Sequence, residues 1–461
     1  MSRPFALLLC LPLIWWLWKR DQRARPPFSL ALWIPFLWLL LLGSRSLSWW
    51  LGVGGSEGGD LEGNAFDRLL YLGMIFAALY VLSRRGIRWA PLMGQNKTLL
   101  LFYLFLFVTI LWSEYPFVTF KRWYKELGGI FVILIILTEQ DPLEAIKAVF
   151  ARCAYVLFPL SVVFIKYFPG IGRTYTQSGG AMYTGVTQQK NSLGEIVLVF
   201  GLVLLSELFQ ANRPKEAKAF KEHHFTILFV LVTGLWLLVT SNSKTSLICF
   251  IAGAVIIVGH KLAFFKNQPR RILIVICTVI PLFLFAESQF NISEYLLELV
   301  GRNSTLTGRT DIWQAVKENP VDPLIGSGYM MYWDLHKSIQ IGRFVLTGWK
   351  SAHNGYLETY LDGGILGVVC LAVMLIGVGV RVIREFLRDT EYGRLAFAFY
   401  VAMLLYNIAE SMYARRSPLW FAFLLFGLEF RGCLPSAMSR EANVVADVWI
   451  DEREAVDAGR A

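Results

Sequence analysis

Apolar runs of roughly bilayer-spanning length recur along almost the whole chain, and cations bound most of them. A spanning helix needs about 20 apolar residues, within roughly 17–25. Inside lipid the peptide groups must satisfy one another, so such runs become helices. Reading between charges places spans near 28–42, 66–83, 98–112, 127–138, 148–166, 192–208, 225–240, 245–263, 272–286, 356–380, 395–410 and 417–431. The expectation is an all-α polytopic membrane protein with about 12 transmembrane helices. Charged residues make up 17% of the 461, against about 25% in soluble domains. With 56% apolar residues, 16 Trp and 34 Phe, the composition excludes a disordered chain, a fibrous chain and an ordinary soluble enzyme.

The net charge is +10. It is not read as a nucleic-acid footprint, because the cations sit at the ends of apolar segments, where membrane topology places them. One set of alternating loops is short and basic: Lys19 to Arg25, Arg84 to Lys97, Lys147, Arg213 to Lys221, Lys261 to Arg271, Arg381 to Arg394, and the tail from Arg431. The positive-inside rule assigns these to the cytoplasm. The run 5–18 is only fourteen residues long and its cations follow it, which argues against a signal peptide. It reads as a short hairpin or interfacial segment, with a thirteenth span as the alternative.

Organisation follows. Residues 1–286 carry the N-terminal transmembrane helices, 287–355 form a large loop on the outer side, 356–431 carry the C-terminal helices, and 432–461 are a cytoplasmic tail. The large loop is expected to be partly helical. An amphipathic stretch is expected at 293–300, and a short helix at 310–318 with Thr310 as N-cap.

Topology does not explain cations on the outer face. Most read as solvated loop charges or partners of nearby acids. Lys121, Arg122, Lys244 and Arg309 differ, because they flank apolar or helix-start sequence. With Arg302, they are candidates for holding a lipid diphosphate, since Arg presents a planar fork to phosphate oxygens and Lys a point charge. Arg309 precedes a helix start, whose free N–H groups add to anion binding. His353 lies in Ser351-Ala-His-Asn-Gly-Tyr-Leu-Glu, where the large loop re-enters the membrane. Imidazole titrates near neutral pH and can take a proton from a hydroxyl. A histidine that only packs at the helix start is the competing reading. The six Cys are scattered, and neither a zinc-type cluster nor a P-loop is present. No cofactor and no metal are expected.

His353-Asn354, nine residues, Gly364, two residues, Gly367 resembles the signature of the O-antigen ligase and polymerase family of bacterial membrane glycosyltransferases. Gly308-Arg309-x-x-x-Trp313 and Pro323-Leu-Ile-Gly326-Ser-Gly328 are similar to that family's preceding segments. Asn354, Gly364, Gly367 and Trp313 are assigned structural parts within these motifs. The resemblance implies an undecaprenyl-diphosphate-linked glycan as donor, and lipid A core or another glycan as acceptor. It implies transfer without metal or nucleotide sugar, in the bacterial inner membrane with the site on the periplasmic side. His353 would activate the acceptor and Arg309 would help hold the diphosphate. The family has a second arginine where this chain has Lys244, which keeps the charge but loses the bidentate fork. A polymerase of O-antigen or exopolysaccharide is the alternative within the family. A polysaccharide transporter or flippase is the alternative of another class, although mid-span charge is scarce apart from Arg152 and Glu195.

Overall fold

The computed structural model describes residues 3–25, 28–53, 64–175, 179–209, 218–263, 265, 268–290, 309–336, 338–341, 344–347 and 351–433. The expected amphipathic stretch 293–300, Arg302 and the tail beyond residue 433 lie outside these. Among the described residues the protein is mostly helical, with two short antiparallel hairpins, Arg173–Tyr175 with Ala181–Tyr183 and Ser338–Ile341 with Phe344–Thr347. Among the described residues six helices are long and apolar enough to cross a membrane. A seventh is counted if Trp89–Gln95 and Lys97–Leu111, bent by 90°, form one span. Shorter apolar helices, Leu30–Leu42, Lys244–Gly259 and Pro418–Gly427, occupy three more of the expected runs.

The chain divides into two compact units. The first comprises Met1–Tyr103, Tyr124–Leu247 and Arg416–Ala461. Its centre is the helix Pro142–Tyr167, which touches Arg3–Ala24, Trp33–Leu42, Lys190–Leu208 and Lys218–Ser241. Asp141 caps that helix by accepting from Glu144 N, and Pro142 opens it. Its apolar window is 78% buried, so protein rather than lipid surrounds it. The helix Ala65–Arg84 is the opposite case, with 22% of its window buried.

The segment 5–18 is not a hairpin. It belongs to one unbroken helix, Arg3–Ala24, that carries Lys19, Arg20, Asp21 and Arg23 in its last turns. Buried ion pairs make this possible. Asp21 accepts from Arg25 Nε and from Arg152 Nε, both at 2.7 Å. Arg25 also reaches Glu207, whose other oxygen meets His223 Nε2 at 2.7 Å. The Arg152 guanidinium lies 4.0 Å from the Phe28 ring centroid and 4.9 Å from that of Trp18. Arg152, a rare mid-span charge, is thus matched by a buried carboxylate and two aromatic faces.

The second unit comprises Leu104–Trp123 and Ile248–Arg415. Its longest helix, Gly355–Leu387, packs along Glu391–Ala409. A continuous helix of 33 residues would be roughly 50 Å long, beyond the ~30 Å hydrocarbon layer. It is broken at Gly364, whose φ of 59° and ψ of −156° are not helical. The short helix in the large loop is Arg309–Glu318, so it starts one residue before the expected cap Thr310. Its apolar face joins a small core of Ile312, Ala315, Val316, Tyr332, Trp333, Ala352 and Leu361.

Candidate functional site

The break at Gly364 is a backbone junction. In an unbroken helix each N–H bonds four residues back, and a break orphans carbonyls before it and amides after it. Here the loop 323–328 supplies partners to four of these groups. Ser327 N and Gly328 N donate to Leu361 O and Asp362 O, both at 2.9 Å. Ile365 N and Leu366 N donate to Pro323 O and Leu324 O at 2.9 and 3.1 Å. The approach is close enough that a Cβ on residue 364 would stand 2.5 Å from Ile325 N, and a Cβ on residue 326 would stand 2.6 Å from Asp362 C. Both glycines also have positive φ, 59° and 67°, a region that costs other residues about 1–3 kcal/mol. Gly367 lies against Phe105, whose Cε1 would be 3.2 Å from a Cβ there. The Pro-x-x-Gly-x-Gly and Gly-x-x-Gly segments are thus the two halves of one junction.

His353 stands just before this helix. Asn354 is the N-cap, its Oδ1 accepting from Tyr356 N and Leu357 N at 3.0 Å each. His353 itself is left-handed, with φ of 49°. Its N–H donates to Ser351 Oγ at 3.1 Å. Ala352 N donates to Glu358 Oε2 at 2.8 Å, and Ala352 O accepts from Trp313 Nε1 at 3.0 Å. These bonds tie residues 351–354 to the helix that follows and to the helix Arg309–Glu318. Gly355 has no room for a side chain, because a Cβ there would overlap the Asn407 amide.

The His353 ring is oriented by a second element. Its Nδ1 lies 3.0 Å from Glu410 Oε2, at the end of the helix Glu391–Ala409. The imidazole side chain is 34% exposed, whereas Glu410 is 6% exposed. One turn into the broken helix, Glu358 and Asp362 both accept from Arg415 Nη2, at 3.0 and 2.8 Å. Glu358 Oε1 also accepts from Trp333 Nε1 at 2.8 Å. Arg122 donates to Met330 O and pairs with Asp334. Three non-glycine residues have positive φ and carry bonds here: Met330 O accepts from Arg122, His353 N donates to Ser351 Oγ, and Ala414 O accepts from the Tyr329 hydroxyl. Such strain persists where surrounding contacts over-determine the backbone, and it concentrates at functional sites.

The structure therefore brings His353, Asn354, Gly364, Gly367, Trp313 and Arg122 into one unit. Lys121 is in the same unit, buried over the Phe117 ring with Nζ 4.3 Å from its centroid. Arg309 is the first residue of its helix, and Arg302 is outside the described residues. Lys244 belongs to the first unit, where it is exposed at the start of the helix Lys244–Gly259. Arg122 is occupied by protein partners here, so any anion it meets would compete with Asp334. Glu410, Glu358, Asp362 and Arg415 were not picked from the sequence as site residues. The i,i+4 spacing of Glu358 and Asp362 on one helix face was the available signal.

The O-antigen ligase family model matches residues 229–372, the stretch that contains the junction and His353. The chain is thus a multi-pass membrane protein whose residues 229–372 are similar to that family. Among curated proteins it is similar to the exopolysaccharide production protein ExoQ of Rhizobium meliloti (strain 1021), at 24% identity over 328 residues. The match covers 66% of this chain and 69% of that relative.

Proposed function

We propose that the protein is a membrane glycosyltransferase of surface polysaccharide biosynthesis, moving a glycan from an undecaprenyl-diphosphate carrier to an acceptor hydroxyl. The reaction takes place at the periplasmic face of the inner membrane, within a twelve-span layout whose large loop is 287–355. The observation that carries this reading is the His353 ring, fixed by a buried carboxylate at a capped helix start inside the family-matched segment. In the reaction, the acceptor oxygen attacks the anomeric carbon as its proton passes to His353. The bond to the diphosphate breaks, and the electron pair leaves on phosphate oxygen. Cations of the chain stabilise that charge in a low-dielectric site. Arg309 is the first of them, with Arg302, Lys244, Lys121 and Arg122 as further members. Neither metal nor nucleotide sugar takes part.

The acceptor separates two readings. A ligase joins the glycan to lipid A core or another acceptor, and a polymerase lengthens the lipid-linked chain. The likeness to an exopolysaccharide production protein favours chain formation on exopolysaccharide as the second reading. The purified protein in lipid vesicles, given a lipid-linked oligosaccharide with and without lipid A core, tests both. Release of undecaprenyl diphosphate with a capped acceptor supports ligation, and a ladder of lipid-linked products supports polymerisation. No release of carrier under either condition refutes the proposal.

A further inference from the structure

The geometry points to Glu410 as the positioning residue of the transfer reaction: it fixes the His353 ring so that Nε2 faces the acceptor, and it carries the imidazolium formed when that proton is taken. This rests on the proposed role of His353. Glu410 Oε2 lies 3.0 Å from Nδ1. A carboxylate accepts and cannot donate, so Nδ1 carries the hydrogen and the neutral ring keeps its lone pair on Nε2. The side chain of His353 is one-third exposed and that of Glu410 almost wholly buried, so the ring stands between solvent and a buried anion. A buried carboxylate behind an imidazole selects its tautomer and stabilises the cation formed during proton transfer, without itself being protonated.

The other charged groups around the ring have separate tasks. Glu358 is turned toward Ala352 N, Trp333 and Arg415, and Asp362 shares the same guanidinium. The charge of Arg415 is thus spread over two carboxylates, and Glu410 is the carboxylate that touches the imidazole. Its placement is built into the backbone. Glu410 N closes the preceding helix on Tyr406 O at 2.9 Å. Asn407 Oδ1 then accepts from Met412 N and Tyr413 N at 2.8 and 3.2 Å, which fixes the turn that presents residue 410. The chemistry balances. The acceptor's proton moves to Nε2, the new glycosidic bond forms as the bond to phosphate breaks, and the imidazolium later returns its proton to water or to the released diphosphate.

The test compares Glu410→Gln, Glu410→Asp and His353→Ala in the full-length protein in vesicles. Glu410→Gln is expected to lower kcat about 10- to 100-fold with KM for the lipid-linked donor unchanged, and Glu410→Asp to recover most of that loss. Wild-type kcat in Glu410→Gln beside an inactive His353→Ala would overturn the role of Glu410 and leave the proposed function standing. Full activity of His353→Ala would overturn the proposed function itself. A rise in KM matching a fall in kcat and melting temperature, unrelieved by Asp, would make Glu410 merely structural and overturn the inference. Nitrogen NMR of the wild-type protein, with labelled histidine and His353 assigned by substitution, reads the tautomer independently of any variant's folding. A hydrogen on Nδ1 is the expected result, and a hydrogen on Nε2 alone would refute it.

Discussion

The peptide of Leu324 fills the space into which a side chain at Gly364 would project. Leu324 O also accepts from Leu366 N at 3.1 Å, so the two segments are joined by the bonds the helix gives up at its break. Four backbone bonds and three glycines with positive φ, Gly326, Gly328 and Gly364, specify this joint.

Gly364→Ala should therefore destabilise the protein by more than the ~1–3 kcal/mol of left-handed strain alone. The backbone of Leu324 and Ile325 would have to withdraw as well. Gly73→Ala is the matched control, since nothing lies within 4 Å of its added Cβ. In a helix interior that change is worth about 0.5–1 kcal/mol in the stabilising direction. Thermal unfolding in detergent should show a marked fall in midpoint for the first variant and none for the second. Equal midpoints would refute the joint.

Removing Arg415 should be costly in a way that removing its partners with it is not. Arg415→Met leaves Glu358 and Asp362, both buried and one helical turn apart, without the guanidinium between them. Breaking such a pair typically costs about 3–5 kcal/mol, whereas replacing all members by neutral groups of similar size is far milder. Adding Glu358→Gln and Asp362→Asn to Arg415→Met should then restore much of the lost melting temperature.

His353→Ala should remove transfer while sparing the fold, because the ring is partly exposed and its loop is tied down by Ser351, Ala352 and Asn354. Loss of a placed base typically lowers rates about 10²–10⁴-fold. Donor binding, followed by competition with a lipid diphosphate, should be unchanged. Undiminished turnover would remove His353 from the chemistry.

Arg309→Ala should act on binding. A hydrogen bond to a charged group is worth about 1.5–3 kcal/mol, which corresponds to a rise in donor KM of roughly 10- to 100-fold. Arg309→Lys should be intermediate, because a point charge remains while the fork is lost. A KM unaltered in both variants would exclude Arg309 from the donor site.

Asp21→Asn should loosen the N-terminal helix. It withdraws the carboxylate shared by Arg25 and Arg152, both of which stay buried. Limited proteolysis should cleave near residues 25–30 faster than in the wild type. An unchanged digestion pattern would mean that the helix is held by its apolar contacts alone.

Much of the helical layout was legible in the sequence, and the errors share one cause. The runs 66–83, 192–208 and 395–410 match helices Ala65–Arg84, Lys190–Leu208 and Glu391–Ala409 within a few residues, because charges fall close to their ends. The run 127–138 fell short of Pro116–Leu137, which carries Lys121, Arg122, Lys125 and Glu126 within its first half. The run 148–166 likewise missed the start of Pro142–Tyr167, where Glu144 and Lys147 pair inside the protein. Reading spans between charges treats a cluster of charges as a boundary. Ion pairs made across the fold break that rule, and no local pattern reveals them. The same holds at the site. His353 stood out through its local motif, whereas Glu410 lies 57 residues further along the chain. The junction at Gly364 showed itself as spaced glycines, but not as the landing place of the Pro323–Gly328 loop.

The distance in sequence between His353 and Glu410 has a consequence for biosynthesis. During synthesis the imidazole emerges well before the carboxylate that holds it, with most of a further hydrophobic hairpin made in between. Ribosome arrest after residue 400 would leave a chain bearing the histidine in an unset ring orientation. On the roles argued above, the full rate of transfer would arrive only when the turn that carries Glu410 is complete, so unfinished chains in the membrane would consume the carrier lipid slowly.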